Sequence, residues 1–219
     1  MSQLVFKFPF KKQYFEQDYY VSNNNFSAYK LIEGWPKWPD KWLNIFGPTG
    51  CGKTHLSNIL IQKINLSKII SAKDINNESI NQIKELDCLI IDDYKNDIDE
   101  NLFYTILNHS KQNDSFIVIN SVYPLKDYKF TLTDLKSRAQ SFVNLGIELP
   151  SDDLLRVIIS KSFSEKQIEI SPKISEYVIK NIERSYEKVF KFIKEIDELS
   201  LSSGKSININ LIKKVLKNE

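Results

Sequence analysis

Cysteine, glycine and methionine are scarce: the 219 residues contain two, six and one of them. Two cysteines, Cys51 and Cys88, are too few for a disulfide framework and read as reduced, cytosolic thiols. No apolar run approaches the roughly 18 residues that cross a bilayer, so no membrane span is expected. No leader pattern is recognised at the start, and the expectation is a cytoplasmic protein. Neither sign of charge dominates. Thirty basic and 28 acidic residues leave a formal net charge of +2. That excludes a global basic field as the basis for nucleic-acid binding and leaves only a local patch. What remains, 42% hydrophobic and 26% charged residues, fits a globular protein that buries a core. The length suits one α/β domain with a small addition. A bias toward Asn, Ile and Lys says nothing about function.

One stretch organises the rest. Gly47-Pro48-Thr49-Gly50-Cys51-Gly52-Lys53-Thr54 matches G-x-x-x-x-G-K-[ST] at every position. Glycines let the backbone turn so that several N–H groups converge on one anion. Lys53 is placed to reach terminal phosphates and the Thr54 hydroxyl to hold Mg²⁺. Context strengthens the match. Residues 43–46 form a short apolar run, readable as a buried strand. Leu56, Ile59, Leu60 and Ile64 recur at helical spacing from His55 onward, so a helix opens after the loop and adds its own attraction for phosphate.

Ahead of the loop, Gln3-Leu4-Val5-Phe6-Lys7-Phe8 alternates large apolar residues behind a Gln. It reads equally as an edge strand or as an extended peptide that docks into an apolar pocket of another protein. Tyr19, Tyr20 and Val21 offer an apolar wall for a nucleotide base, although packing is the commoner task of such rings. Residues 26–33 are predicted to be a helix capped by Asn24 or Asn25. The Trp35-Pro36-Lys37-Trp38-Pro39 segment ends it.

Beyond the loop, residues 68–72 read as a strand and residues 75–83 as a short helix or loop. Cys88-Leu89-Ile90-Ile91-Asp92-Asp93 is an apolar strand ending in two acids, about 40 residues after the phosphate loop. In open α/β sheets the carboxyl ends of strands face ligands. Asp92 is expected to bind Mg²⁺ through water, and Asp93 to orient or deprotonate an attacking water. Residues 99–110 carry one apolar stripe. Residues 116–121 form a strand with a polar end, where Asn120 or Ser121 could touch a γ-phosphate or the attacking water. A helix is expected from Thr133, with that threonine as its cap, and a last strand over residues 143–149. Repeated strand–loop–helix order predicts a parallel sheet with helices on both faces. After Pro150 every segment has helical spacing, so residues 151–219 are expected to form a small all-α domain. The expected organisation is residues 1–12 as peptide, 13–150 as nucleotide-binding α/β domain and 151–219 as helical lid.

Phosphate loop, Asp-Asp strand end, polar strand end, Asp134-Leu135-Lys136-Ser137-Arg138 and a helical lid, in that order, resemble the AAA+ P-loop ATPases. Within them the chain is similar to the branch of the bacterial replication initiator DnaA, and to the shorter Hda-like regulators of that initiator. The resemblance implies ADP or ATP with Mg²⁺, held by Gly47 to His55, with Thr54 and Asp92 at the metal. It implies that Arg138 is an arginine finger acting on a partner's nucleotide. A lid residue that senses nucleotide falls among Arg184, Glu187 and Lys188. Gln3, Leu4, Phe6 and Phe8 match the sliding-clamp-binding peptide. Partners implied are DnaA and the DNA-loaded clamp, with a homo-oligomer possible in principle and no strong sequence-specific DNA binding. The initiator's helix-turn-helix domain is not expected, because the sequence stops at Glu219. The rival readings are an autonomous ATPase such as a helicase loader, and a truncated initiator.

Overall fold

Parallel pairing follows from the order of elements in Tyr14–Glu148, one of two compact units into which the chain divides at Leu149. The structure, a computed structural model, describes residues 14–166, 168, 170–203 and 207–216. The peptide containing Gln3, Leu4, Phe6 and Phe8 lies outside them.

The first unit runs α1 (Phe26–Glu33), β1 (Trp42–Phe46), α2 (Lys53–Ile61), β2 (Ser67–Ser71), α3 (Ser79–Ile83), β3 (Cys88–Tyr94), α4 (Glu100–Gln112), β4 (Phe116–Ser121), α5 (Thr133–Ser141) and β5 (Val143–Gly146). All pairings are parallel, in the order β2-β3-β4-β1-β5. The strand that feeds the phosphate loop therefore lies between β4 and β5, not at an edge. Successive side chains in a strand face opposite sides. Trp42, Leu89, Ile91, Ile117 and Ile119 share one buried cluster with Ile83 of α3, Phe103, Ile106 and Leu107 of α4, and Leu135 and Ala139 of α5. The alternate residues Leu43, Ile45, Ile90 and Val118 are buried on the opposite face. Each such side chain contributes roughly 1.5–3 kcal/mol on leaving water, which is why short strands suffice.

Asn44 interrupts the apolar run of β1 and is fully buried. Its Nδ2 donates to the Ile119 carbonyl (2.9 Å) and to Ser121 Oγ (2.8 Å), and its Oδ1 accepts Leu125 N–H (2.9 Å). A buried amide needs such partners. Here they tie the strand entering the loop to the end of β4.

The start of α5 differs from expectation. Thr133 is the first helical residue, and Leu132 holds the N-cap position without a side-chain cap. The residues just ahead of the helix are braced from another element: Glu100, at the start of α4, accepts Thr131 N–H (2.9 Å), Leu132 N–H (2.7 Å) and the Thr131 hydroxyl (2.8 Å). These bonds, the Thr131 and Leu132 amides first, hold Glu100 below the ordinary glutamate pKa. A lowered folded-state pKa stabilises above the unfolded value and is lost as pH falls through the folded one. Thermal unfolding followed against pH should therefore show the native chain above Glu100→Gln at neutral pH, with the gap closing on acidification through the glutamate range. A gap independent of pH would contradict it.

The second unit, residues 149 onward, contains α6 (Asp152–Glu165), α7 (Pro172–Asn181), α8 (Tyr186–Ser203) and α9 (Ile209–Leu216). Ser151 caps α6 through Leu154 N–H, and Pro172 opens α7, where its missing N–H costs nothing. Leu155, Ile159, Phe163, Val178, Val189, Phe192, Ile196 and Val215 form its core. Among the described residues, no helix is long and apolar enough to cross a membrane.

Candidate nucleotide site

The loop from Gly47 to Thr54 joins β1 to α2, as the spacing predicts. Gly50 (φ 83°) and Gly52 (φ 100°) lie in left-handed backbone that side chains rarely adopt. At Gly47 the obstacle is room: a Cβ there would stand 2.5 Å from the Ile147 carbonyl oxygen. Gly47 N–H donates to the Ser121 carbonyl (3.2 Å), and Cys51 N–H to that of Pro48 (3.2 Å). Lys53 curls over the loop; its ammonium donates to the carbonyls of Gly47 (2.7 Å) and Pro48 (3.1 Å) and lies 3.7 Å from Cys51 Sγ. The first-turn N–H groups of α2 have no carbonyl a turn earlier to bond. A cation, a left-handed turn and a helix N-terminus thus converge, which is a donor set that fits phosphate.

Cys51 is buried, and burial pushes its thiol pKa up despite Lys53 nearby. Cys88, on β3, is pushed up to about 12, by burial and then by Asp87. Both are poor nucleophiles at neutral pH.

The two acids stand on an irregularity. Ile91 pairs with Ile119 and Tyr94 with Ser121, so Asp92 and Asp93 together oppose the single residue Asn120. This is a β-bulge, with Asp93 in left-handed backbone (φ 58°). The bulge separates the acids. Asp92 Oδ2 accepts the Thr54 hydroxyl (2.8 Å), and its Oδ1 accepts Asn120 Nδ2 (2.8 Å) and Asp93 N–H (3.1 Å). Asp93 instead pairs with Lys95 (2.8 Å) at the surface. Thr54 and Asp92 are hard oxygen ligands brought together, which fits Mg²⁺ held partly by phosphates and water. Among the described residues there is no cluster of three or more acidic, His or Cys side chains to hold a metal without them.

Asn120 and Ser121 are split by strand alternation. Asn120 is buried beside Asp92 and also donates to Ser57 Oγ of α2 (2.7 Å). The Ser121 hydroxyl lies on the other face, donating to the Tyr123 carbonyl (2.6 Å) and accepting from Asn44. Ser57 and Asn44 were not anticipated. A serine in a helix reads as surface, but Ser57 lies one turn after Lys53 and Thr54 and so shares their side of α2.

His55 turns toward the preceding segment: its Nε2 is 2.8 Å from the Phe15 carbonyl, and its ring meets Tyr14 and Tyr19 edge-on. Tyr19 stacks on Tyr29 and closes against the loop, where a Cβ on Gly52 would lie 3.0 Å from its ring. Burial, then the charge of Asp92, raises the Tyr14 phenol pKa. Tyr19, one of the three residues of the candidate base wall, thus borders the loop.

Arg138, on α5, is half-buried. Its guanidinium bonds Asn108 Oδ1 and lies over the rings of Tyr104 (4.8 Å) and Trp42 (5.7 Å). Trp42 begins β1, whereas the loop follows its end, a strand's length of roughly 13 Å away. Arg184 and Lys188 belong to the second unit. Arg184 pairs there with Asp152 (3.0 Å), and the Lys188 N–H donates to Ser185 Oγ (3.2 Å).

Comparison with known proteins places this geometry. A family model described as RNA helicase matches residues 43–131, the span from the phosphate-loop strand to just before α5. The chromosomal replication initiator DnaA of Buchnera aphidicola subsp. Baizongia pistaciae is 26% identical over 243 residues, covering 99% of this chain and 53% of that protein. The chain spans about half the length of the curated relatives it matches. Among solved structures, domain III of Thermotoga maritima DnaA superposes with a TM-score of 0.76 at 22% identity, over 96% of this chain and 98% of that one. AMPPCP-bound DnaA of Aquifex aeolicus superposes at 0.67 and 21%, over 86% and 66%. The chain thus shares the AAA+ P-loop fold of these DnaA structures.

Proposed function

We propose that this DnaA-like AAA+ domain binds ADP or ATP with Mg²⁺ and regulates bacterial replication initiation by completing a nucleotide site on another subunit. Gly47 to Thr54 hold the phosphates; Thr54 and Asp92 hold the metal, which when bound neutralises phosphate charge. Arg184 or Lys188 acts as the lid's nucleotide sensor. The observation that carries the reading in trans is Arg138. It stands a strand's length from the end of β1 that feeds the chain's own loop, on a half-buried perch of Tyr104, Trp42 and Asn108. A guanidinium there suits a neighbour's γ-phosphate, where such a finger is worth roughly 10³–10⁵ in rate. The neighbour is DnaA, and Gln3, Leu4, Phe6 and Phe8 dock the chain on the DNA-loaded sliding clamp, in the cytoplasm at the nucleoid.

The test is ATP hydrolysis by the initiator with this protein added, with and without DNA-loaded clamp. Stimulation that needs both clamp and residues 3–8 is the expected result. Stimulation indifferent to the clamp would remove the peptide's role.

A second reading, an autonomous ATPase such as a helicase loader, draws on Asp93, a second acid beside the site. Its carboxylate is exposed and paired with Lys95, which makes it a weak candidate for a base. Turnover by the purified chain alone at ordinary enzyme rates would favour that reading.

A further inference from the structure

Resting on the nucleotide-binding reading above, we propose that Ser57 and Asn120 form a positioning pair that serves the metal side of the site, and that Asn120 does not read the γ-phosphate. An amide nitrogen has two hydrogens. Those of Asn120 are both committed, one to Asp92 Oδ1 at 2.8 Å and one to Ser57 Oγ at 2.7 Å. Its orientation is fixed by charge: turning the amide over would set its oxygen against the Asp92 carboxylate, acceptor against acceptor. Asn120 is fully buried, and its Oδ1 has no hydrogen-bond partner. The one unused atom is thus an acceptor. A phosphate oxygen brings no hydrogen and gains nothing from it, whereas a water does. To meet phosphate, Asn120 would have to break a buried bond, leaving Asp92 or Ser57 unsatisfied.

Asp92 gains what phosphate does not. Its Oδ1 takes Asn120 Nδ2 and Asp93 N–H, and its Oδ2 takes the Thr54 hydroxyl, so its rotation is fixed on both sides. Ser57 holds Asn120, Asn120 holds Asp92, and Asp92 orients Thr54. The chain begins and ends on α2 and crosses β4 and β3 between. Groups that orient metal ligands in this way set affinity for the metal, and their loss typically costs tenfold or more. The ends of β3 and β4 then respond to Mg²⁺ equally under either nucleotide. Any preference for ATP over ADP must come from another group.

The experiment is a Mg²⁺ titration of the full chain with a fluorescent ADP and a fluorescent non-hydrolysable ATP analogue, repeated in EDTA. Ser57→Ala and Asn120→Ala should each raise the Mg²⁺ needed for half-maximal binding about tenfold. The shift should be the same for both nucleotides, and the ratio of their affinities should stay within about twofold. Ser57→Thr, which keeps the hydroxyl, should restore the response. In EDTA both alanine variants should bind as the native chain does. Loss of the ATP analogue with ADP unaffected would overturn the proposal, since Asn120 would then read the γ-phosphate. So would an unchanged Mg²⁺ response, or equal loss of binding in EDTA, which would mean that the pair only supports the fold. Failure of the native chain to bind either nucleotide is a separate result and would overturn the underlying reading instead.

Discussion

Replacing Lys53 by alanine is expected to lower affinity for adenine nucleotides at least about a hundredfold, or roughly 2.7 kcal/mol, while leaving the fold intact. The fold does not depend on this side chain. Its bonds are to the loop's own Gly47 and Pro48 carbonyls and lie at the edge of the sheet, not in it. What Lys53 brings is a cation beside a helix N-terminus, and a hydrogen-bonded charge on a phosphate is worth about twice a neutral contact. Isothermal titration of the variant with ADP and ATP reads the loss directly, with circular dichroism to check folding. Affinity within a few-fold of native would sink the phosphate role. A variant that also melted early would point instead to Lys53 stapling the loop.

Arg138→Ala should cut stimulation of initiator ATP hydrolysis about a thousandfold, the lower range for a lost arginine finger. Nucleotide binding by this chain itself should not change. The competing explanation is structural, because Arg138 packs on Tyr104 and Trp42. Such cation–π contacts are worth about 0.5–1 kcal/mol at partly exposed sites, so the variant should melt only slightly lower. Two further variants separate the roles. Arg138→Lys keeps charge but lacks the planar fork and should not rescue. Asn108→Ala loosens the perch while sparing the guanidinium and should keep stimulating. Full stimulation by Arg138→Ala would assign the residue to packing alone.

Much of the architecture was written in local patterns. A phosphate loop between an apolar strand and a periodic helix carries its own geometry, because each part is encoded within a dozen residues. The helices of the second unit were equally readable from spacing; in the structure Ser151 caps α6 and Pro172 opens α7. What escaped were features set by register between strands far apart in sequence. No local signal says that β1 lies between β4 and β5. Asn120 and Ser121 are neighbours in the chain, yet only pairing with β3 shows which of them meets Asp92. Thr133 does not cap α5; the two residues ahead of that helix are held by Glu100, 32 residues before Leu132. Ser57 and Asn44 belong to no motif in the sequence. They were legible only as exceptions, since a buried polar side chain has to be satisfied by something.

The bulge at Asp92 and Asp93 also bears on how this sequence can change. Side chains alternate along a strand, so Ile91 and Tyr94, three apart, would ordinarily face opposite ways. They face the same core only because one extra residue sits between them. The core itself does not need the extra residue: without Asp93, Tyr94 would follow Ile91 by two, still opposite Ser121 and still on the face where it packs on Phe103 and Tyr128. What the extra residue adds is the local turn that carries the second acid away from Asp92 to Lys95 at the surface. The aromatic core accepts this strand end at either length, and only the longer one sets the two acids apart.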